Sequence, residues 1–440
     1  MKSAIENLKL SGVNVSDVLI PKENIDLTKW AVVACDQYTS ERSYWQRVTE
    51  FVKDSPSTLH LIFPEVYLDD EGGPERIKEI NRSMEQYLKA NIFHEFKESL
   101  VLIERTTVNG ASRWGLLVTL DLEEYDYHKS SKTPIRATEG TILSRIPPRQ
   151  EIRREAKLEL PHILVLIDDI KKSVIEPLIP LKAKLPKIYD FTLMENGGQL
   201  RGYLVQEDPL LEQIATALQA IKRSLDPSNP LMFAMGDGNH SLATAKACWQ
   251  ELKANLREDE LEHHPARWAM VELENIYDSG LIFEPIHRVL FNCERTLFLK
   301  ELKEHCTSYA LETAESIAEM DRIISDQSGL QRFGYVDRDG LKIIALSDAE
   351  GSIPAGTLQN VIDALLERDS TVQVDYIHGE EVTYNLGLKE GNIGLFLPSI
   401  DKHTLFATIV KDGALPRKTF SMGEAQEKRF YMEARKIKID

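Results

Sequence analysis

One segment constrains the fold of this chain more than any other. An apolar run from Leu231 to Met235 breaks at Gly236 and Gly238 and continues into an alanine-rich stretch at 242–247. The apolar run has strand character, and the alanine-rich stretch has high helix propensity. We therefore predict a strand, a tight polar turn and a helix in direct succession, which is a basic unit of α/β folds.

The predicted turn carries polar groups that suit an anion. It reads Asp237, Gly238, Asn239, His240 and Ser241. The first amides of a helix have no partner within the helix, and the helix dipole favours negative charge there. We predict a phosphate site, with Asp237 and His240 as catalytic candidates and the other three residues as ligand contacts. Alternatively, the glycines only supply positive φ, and Asn239 or Ser241 only caps the helix.

The composition limits which partners this protein has. The 440 residues carry a formal net charge of −17, so the average surface repels nucleic acid and anionic membranes. The four cysteines are widely spaced and form no metal-binding pattern. The N-terminus lacks a continuous apolar segment, and no run of about 18 apolar residues occurs. We expect a soluble, cytoplasmic protein with free thiols that binds neither nucleic acid nor membrane; its oligomeric state is left open.

The remaining pattern predicts a mixed α/β (α+β) fold. Three Asn-Gly or Asp-Gly pairs each separate two strand-like runs, which is typical of tight hairpins. The pairs are Asn109–Gly110, Asn196–Gly197 and Asp339–Gly340. Hairpin strands are antiparallel, whereas strand-to-helix junctions favour parallel neighbours. We therefore expect mixed sheets with helices and two or more subdomains, rather than a pure doubly wound sheet.

A stiff turn at residues 226–230 is the best internal boundary, because it combines two prolines with Asp, Ser and Asn. It predicts an N-terminal α/β region, residues 1–225, and a C-terminal α/β region, residues 226–440, which carries the central turn.

A second candidate ligand site is rich in arginine. Five arginines lie between positions 136 and 154 and are interleaved with hydroxyl side chains. Guanidinium groups match the geometry of phosphate oxygens. We predict that Arg136, Arg145 and Arg149 bind phosphate close to the central turn, because an acidic chain needs local cations to hold a polyanion. The alternative is a solvated helix face on which the arginines pair with neighbouring glutamates.

Three shorter segments combine cations or histidines with strand-like runs. They contain His287 and Arg288, then His378 with two carboxylates, and finally Arg417 and Lys418. We predict His287 as a proton acceptor and the other four residues as phosphate contacts. Each segment also fits an ordinary structural role, as a buried histidine, a capped turn or a solvated loop.

These segments together resemble an uncharacterised bacterial and archaeal family known as domain of unknown function 1015. The resemblance rests on the segments 237–241, 285–288, 375–379 and 416–419, in that order. The family's central turn reads Asp-Gly-His-His-Arg, so Asn239 and Ser241 depart from it. The segment 136–149, which resembles one branch of the family, could replace the missing arginine. The turn is also similar to the phosphate-binding box of ParB-like nucleotide-binding domains, whose relatives include a free-serine kinase.

Two functions fit this pattern. The first is a nucleotide-dependent phosphotransferase or phosphohydrolase acting on a small metabolite, in which Asp237 or His240 orients a nucleophile or a nucleotide-bound Mg²⁺. A related alternative uses these two residues as metal or acid–base groups of a hydrolase. The second function is a nucleotide- or phospholigand-binding regulatory protein without turnover. The sequence contains no Walker A motif and no kinase signature set.

Overall fold

Helices and strands alternate along the chain in the computed structural model, which describes residues 2–326, 329–351 and 353–439. The helices are α1 (Lys2–Lys9), α2 (Leu27–Trp30), α3 (Arg42–Val52), α4 (Gly73–Lys89), α5 (Ile146–Arg154), α6 (Asp208–Ser224), α7 (Asn239–Lys253), α8 (Glu258–Leu261), α9 (Arg295–Glu304), α10 (Ile317–Ile324), α11 (Pro354–Arg368), α12 (Glu380–Gly387) and α13 (Leu405–Asp412). No helix within the described ranges is both long enough and apolar enough to cross a membrane.

The strands are short, apart from the central pair β3 and β4. They are β1 (Val13–Asn14), β2 (Ser16–Pro21), β3 (Phe93–Thr106), β4 (Ser112–Asp121), β5 (Tyr125–Asp126), β6 (Ile135–Arg136), β7 (Leu158–Glu159), β8 (Leu164–Ile167), β9 (Lys187–Thr192), β10 (Gln199–Val205), β11 (Phe233–Asp237), β12 (Trp268–Asn275), β13 (Phe283–Pro285), β14 (His287–Phe291), β15 (Ser308–Thr313), β16 (Gln331–Asp337), β17 (Gly340–Ser347), β18 (Gln373–Ile377), β19 (Ile393–Phe396), β20 (Phe420–Met422) and β21 (Arg435–Lys436). This mixture of elements confirms the α/β (α+β) class.

The chain divides into two compact units, and the division differs from the boundary at 225/226 that we expected. The first unit runs to Leu281 and resumes at Glu424, and the second is Ile282–Gly423. The stiff turn at 226–230 lies inside the first unit because the elements on either side of it share one core. Ile214 of α6 and Phe233 of β11 both belong to that core.

The first unit is built on a mixed sheet with the strand order β5-β6-β11-β8-β12-β4-β3-β10-β9, to which β1 adds beside β4 and β2 beside β3. The pairs β5–β6, β6–β11 and β8–β12 are parallel, and the other pairs are antiparallel. The predicted hairpins at 109–110 and 196–198 join β3 to β4 and β9 to β10. The sheet is therefore mixed, as we predicted.

Both faces of this sheet are covered. In β3, Leu100 and Leu102 join one core, whereas Val101 and Ile103 join the other. Successive residues of a strand point to opposite faces, so one strand can serve two cores. Helices α1, α6 and α7 supply residues to the first core. Helices α3 and α4 and the C-terminal segment, which we define as residues 424–440, supply residues to the second.

The second unit contains an antiparallel six-stranded sheet in the order β15-β17-β16-β19-β14-β18, and a separate pair, β13 and β20. The predicted hairpin at 339–340 joins β16 and β17. Phe298 of α9 and Leu358 of α11 pack in the same core as Leu395 of β19.

Candidate functional site

The central turn of the first unit has the geometry that the sequence predicts. Strand β11 ends at Asp237, Gly238 has a φ of +79°, and α7 begins at Asn239. A Cβ atom at position 238 would lie 3.1 Å from Ile163 Cγ1, so both backbone conformation and space favour glycine. Gly238 has no side chain with which to cap α7. The first amides of this 15-residue helix therefore depend on other groups at the turn.

A buried ion pair lies at the start of α7. Asp237 Oδ2 is 3.1 Å from Lys428 Nζ, and 23% and 9% of the two side chains are exposed. Asp237 Oδ1 accepts a hydrogen bond of 2.8 Å from the Gly238 amide. Burial raises the pKa of the Asp237 carboxyl, but the Lys428 ammonium and the Gly238 amide outweigh it, so this pKa lies below its usual value. Asp237 is therefore ionised, and Lys428 brings positive charge to the helix terminus.

The segment that leads into α5 rests directly on the turn. The Thr138 amide donates a hydrogen bond of 3.3 Å to Asn239 Oδ1. The Ile142 amide donates a hydrogen bond of 3.2 Å to His240 Nε2. Because Nε2 accepts this bond, the neutral His240 ring carries its proton on Nδ1. The side chains of Asn239 and His240 thus hold the neighbouring loop in place. Ser241 is half-buried in the first turn of α7.

The three arginines predicted to bind phosphate have different environments. Arg136 is buried, and its guanidinium donates hydrogen bonds of 2.8 Å to Thr133 O and 2.9 Å to Pro230 O. Arg149 forms an ion pair with Glu65 and donates a hydrogen bond of 2.7 Å to Arg145 O. The Arg145 side chain is exposed, and its guanidinium forms no ion pair with the described residues. Arg136 is therefore occupied by backbone carbonyls, which leaves Arg145 as the most accessible of the three.

The other two arginines of the segment pair with glutamates, but not with the glutamates of the segment itself. Arg153 pairs with Glu159, and Arg154 pairs with Glu251 at 3.2 Å. These two guanidinium groups are compensated by glutamates, as is usual for charged side chains on a helix.

Two polar side chains near the Asp237–Lys428 pair, Tyr431 and His162, are not predicted from the sequence. Tyr431 Oη lies 2.9 Å from His162 Nδ1 and accepts a hydrogen bond of 3.2 Å from the Cys35 amide. The charge of His162 also contributes to lowering the pKa of Asp237. Tyr431 and Lys428 both belong to the C-terminal segment, so one short stretch of chain supplies two side chains to this place.

The carboxyl of Glu65 interacts with His162 and has a raised pKa. Burial, followed by the carboxylate of Asp36, raises the pKa of Glu65, and Arg149 and His162 offset this only in part. Glu65 is the first residue of a short 3₁₀ turn, Glu65–Tyr67, and its amide donates a hydrogen bond of 2.8 Å to Cys35 O. Glu65 is therefore a carboxyl of this group whose pKa lies above its usual value, in contrast to Asp237.

The second unit contains the remaining predicted residues. His287 is the first residue of β14 and is buried, and its Nδ1 accepts a hydrogen bond of 3.2 Å from the Leu397 amide. Burial, Arg288 and His378 lower the pKa of His287 to about 4, so the ring is neutral. His287 is therefore a buried, hydrogen-bonded histidine, which is the structural role that its sequence segment also allows.

Two arginines of the second unit lie near the ring of one tyrosine. The guanidinium carbons of Arg288 and Arg417 lie 5.3 Å and 5.9 Å from the ring centre of Tyr376. Arg288 is fully buried, whereas Arg417 is part-exposed and pairs with Asp363 at 3.2 Å. His378 and Lys418 are exposed. For Arg288, His378, Arg417 and Lys418 alike, the role of phosphate contact stays a prediction.

Comparisons with known proteins identify a family and a set of distant structures. A family model described as "Protein of unknown function (DUF1015)" matches residues 19–365. No curated protein matches the sequence significantly. A free serine kinase in complex with AMP is similar in structure, with a TM-score of 0.40 and 10% identity over 72% of this chain and 90% of that chain.

Two other solved structures are similar at the same level. A conserved hypothetical protein from Pyrococcus furiosus has a TM-score of 0.36 and 10% identity over 72% of this chain and 90% of that chain. A C-terminally truncated SbnI from Staphylococcus aureus has a TM-score of 0.37 and 10% identity over 70% of this chain and 82% of that chain. Likenesses this distant assign neither a ligand nor a reaction to this chain.

Proposed function

Because the chain belongs to the DUF1015 family, whose function is unknown, we propose a function from the site itself. The first unit binds the phosphates of a nucleotide at the N-terminus of α7. It then transfers a phosphoryl group to a small hydroxyl-bearing metabolite, or to water. The observation that carries this proposal is the buried Asp237–Lys428 pair, which fixes an ammonium group beside the first amides of α7.

Phosphate binding uses the fixed charge of the turn. The amides of residues 239–241 and the helix dipole favour an anion, and lysine is a common phosphate ligand. In a chain with a net charge of −17, such a local cation is needed to attract a polyanion. Arg145 is exposed three residues after Ile142, whose amide binds His240, and in this proposal it neutralises outer phosphate oxygens. Asp237 keeps Lys428 in position rather than taking part in proton transfer, because its pKa is lowered.

The transfer step needs one proton acceptor. The substrate hydroxyl oxygen attacks the terminal phosphorus, a new P–O bond forms, and the bond to the leaving nucleotide breaks. The hydroxyl proton passes to the Glu65 carboxylate, whose raised pKa makes it a better base than Asp237. Phosphoryl transfer depends mainly on positioning and charge stabilisation, so this small set of groups is sufficient.

The turn does not form a metal site by itself. Within the described part of the chain, no group of three or more His, Cys, Asp or Glu side chains is placed to hold a metal ion. Asp237, the metal candidate from the sequence, is already paired with Lys428. In the proposed reaction, Mg²⁺ is therefore carried by the phosphates of the nucleotide.

A second candidate function is binding of a nucleotide or another phospholigand without turnover. The observation that favours it is the use of Asn239 and His240 as acceptors for the amides of Thr138 and Ile142. Side chains that hold a loop in place are not available as acid–base groups. This function needs the anion site and does not need Glu65.

Calorimetric titration and turnover assays separate the two functions. Wild-type protein is titrated with ATP, ADP, CTP and inorganic phosphate, with and without Mg²⁺, and phosphate release and transfer to a metabolite mixture are then followed. Binding with turnover that Glu65→Gln abolishes supports the enzyme. Binding without turnover supports the second function, and failure of every probe to bind refutes both.

The matched control is Lys438→Met, which changes an exposed lysine of the same C-terminal segment that pairs with Glu155 at 2.9 Å. We expect Lys428→Met to weaken binding at least ten-fold and Lys438→Met to leave it unchanged. Equal losses for the two variants would mean that the titration reports net charge and not the proposed site.

A further inference from the structure

A tyrosine–histidine pair lies beside the start of α7. His162 comes just before β8, which is antiparallel to β11, with Leu164 opposite Asp237. A Cβ atom at position 238 would lie 3.2 Å from Ile163 Cα, so the backbone next to His162 contacts the turn itself. After burial and closer charges, the charge of His162 also acts on the pKa of both Asp237 and Glu65. The half-buried His162 ring is therefore one of the groups at the proposed phosphate site.

Tyr431 determines the hydrogen-bonding role of one nitrogen of this ring. Its Oη accepts a hydrogen bond of 3.2 Å from the Cys35 amide, which can only donate. Burial raises the pKa of the Tyr431 hydroxyl well above its usual value, so the hydroxyl keeps its proton. Two acceptors are within reach of that proton, His162 Nδ1 at 2.9 Å and the Cys35 thiol. Because sulfur is a weak acceptor, Tyr431 donates its proton to Nδ1.

The other nitrogen of the neutral His162 ring is then a donor. A neutral imidazole carries one proton, so a ring that accepts a hydrogen bond at Nδ1 carries that proton on Nε2. Nε2 of His162 forms no hydrogen bond with the residues that the structure describes. His240 differs, because its Nε2 accepts the hydrogen bond from the Ile142 amide. Of these two histidines, His162 is therefore the one with an Nε2–H group for a ligand.

We propose that Tyr431 is a positioning residue, which keeps the proton of His162 on Nε2 so that this group donates a hydrogen bond to a phosphate oxygen at the start of α7. The position of the proton follows from the contacts alone, whereas the contact with phosphate rests on the proposed function. A donor whose proton is already in place needs no rearrangement when the ligand arrives. It also adds a directed hydrogen bond to the charge that Lys428 supplies.

The first unit contains a second pair of the same construction, which serves as a control. Tyr87 Oη accepts a hydrogen bond of 3.1 Å from the Ser57 amide and lies 2.8 Å from His60 Nδ1. Tyr87→Phe therefore removes an equivalent hydroxyl, one that is hydrogen-bonded to no residue of the turn at α7.

Nitrogen NMR of isotope-labelled histidine rings shows where each proton resides. The full-length protein is measured without ligand in mildly alkaline buffer, and the signals of His162 are assigned by their loss in His162→Gln. We expect a protonated Nε2 and an unprotonated Nδ1 for His162 in the wild type. Tyr431→Phe should change the signals of His162 and not those of His60, and Tyr87→Phe should do the reverse. A proton on Nδ1 of His162 in the wild type would overturn the proposal.

Calorimetry with inorganic phosphate and ATP tests the contact with the ligand. We expect His162→Asn, which removes the donor, to weaken binding about three- to ten-fold. His162→Gln should weaken it less, because the longer side chain can place an amide N–H near the position of Nε2. Tyr431→Phe, which lets the proton move to Nδ1, should fall between wild type and His162→Asn. Tyr87→Phe should bind as the wild type does.

Two results distinguish a failure of this inference from a failure of the proposed function. If wild type, Tyr431→Phe and His162→Asn bind equally well while Lys428→Met binds poorly, the inference is wrong and the phosphate site remains. If no probe binds to the wild type, the proposed function is refuted, and with it the contact between His162 and phosphate. Should Tyr431→Phe fail to fold, the wild-type spectrum and the two His162 variants decide.

Discussion

Replacing Lys428 by methionine should destabilise the first unit, because it leaves the Asp237 carboxylate buried without its partner. Removing one member of a fully buried ion pair costs about 3–5 kcal/mol. Asp237 retains 23% side-chain exposure and its hydrogen bond from Gly238, so the cost should lie below that range. We expect a loss of about 2–3 kcal/mol at pH 7, which corresponds to a fall in Tm of roughly 3–5 °C for a unit of this size.

The pH dependence of this loss gives a sharper test. In the wild type, Lys428 holds the pKa of Asp237 below its ordinary value of 3.8. The pair therefore stabilises the fold above that pH, and the contribution is lost as the pH falls through the folded pKa. In Lys428→Met the Gly238 amide and His162 remain, but the largest effect that opposes burial is lost. We expect the pKa of Asp237 to rise, so that stability is lost as the pH rises through it. Urea unfolding should thus show a smaller difference between variant and wild type at pH 4.5 than at pH 7.

A double variant identifies the buried carboxylate as the cause. Asp237→Asn combined with Lys428→Met leaves no charge at this place, so it should recover most of the stability that Lys428→Met loses. Lys438→Met, which removes an exposed lysine, should change the free energy of unfolding by less than about 0.5 kcal/mol. If the double variant is as unstable as the sum of the two single variants, the pair is not coupled and the reasoning fails.

The same double variant separates stability from ligand binding. It removes the ammonium that we propose as a phosphate ligand while keeping a stable fold. We expect it to bind nucleotide as poorly as Lys428→Met does. Wild-type affinity in a folded double variant would refute the phosphate site at α7 without affecting the stability argument.

Three further predictions concern other parts of the first unit. Gly115→Ala should cost about 1–3 kcal/mol in urea unfolding, because its Cβ would lie 2.3 Å from Glu272 Oε1, whereas Gly140→Ala, with nothing within 4 Å of its Cβ, should be nearly neutral. Arg145→Lys should weaken nucleotide affinity in calorimetry nearly as much as Arg145→Ala, because lysine lacks the planar guanidinium group. If both variants bind nucleotide as tightly as the wild type, Arg145 is not part of the site. Burial raises the pKa of Glu274 from 4.5 to about 7, so wild-type stability should fall as the pH rises between these values. Glu274→Gln should lose this pH dependence of stability in urea unfolding. If the pH dependence is unchanged, another group titrates.

The local part of the site could be predicted from the sequence. The strand β11, the turn at Gly238 and the helix α7 depend on apolar runs, glycine conformation and helix propensity, all of which lie within about 20 consecutive residues. The three hairpins follow for the same reason, since Asn-Gly and Asp-Gly pairs set the turn by themselves. Such signals do not require knowledge of what packs against the element.

The partners of the arginines could not be predicted in this way. Five arginines in a short segment indicate local positive charge, but whether that charge reaches a ligand depends on distant residues. Arg149 pairs with Glu65, which is 84 residues away in the chain, and Arg136 binds the carbonyl of Pro230, which is 94 residues away. The phosphate-binding role of this segment stays a prediction, and Arg145 is the exposed arginine to which we assign it.

The groups that complete the site come from the other end of the sequence. Tyr431 contacts His162 across 269 residues of chain, and no local pattern around either residue indicates that contact. The C-terminal segment is held there by isolated bridges that pair Val33 with Phe430 and Leu19 with Ala434. Lys428 is therefore fixed by the fold before any ligand arrives. A cation that is already ordered loses little conformational entropy on binding, so more of its attraction for phosphate contributes to affinity.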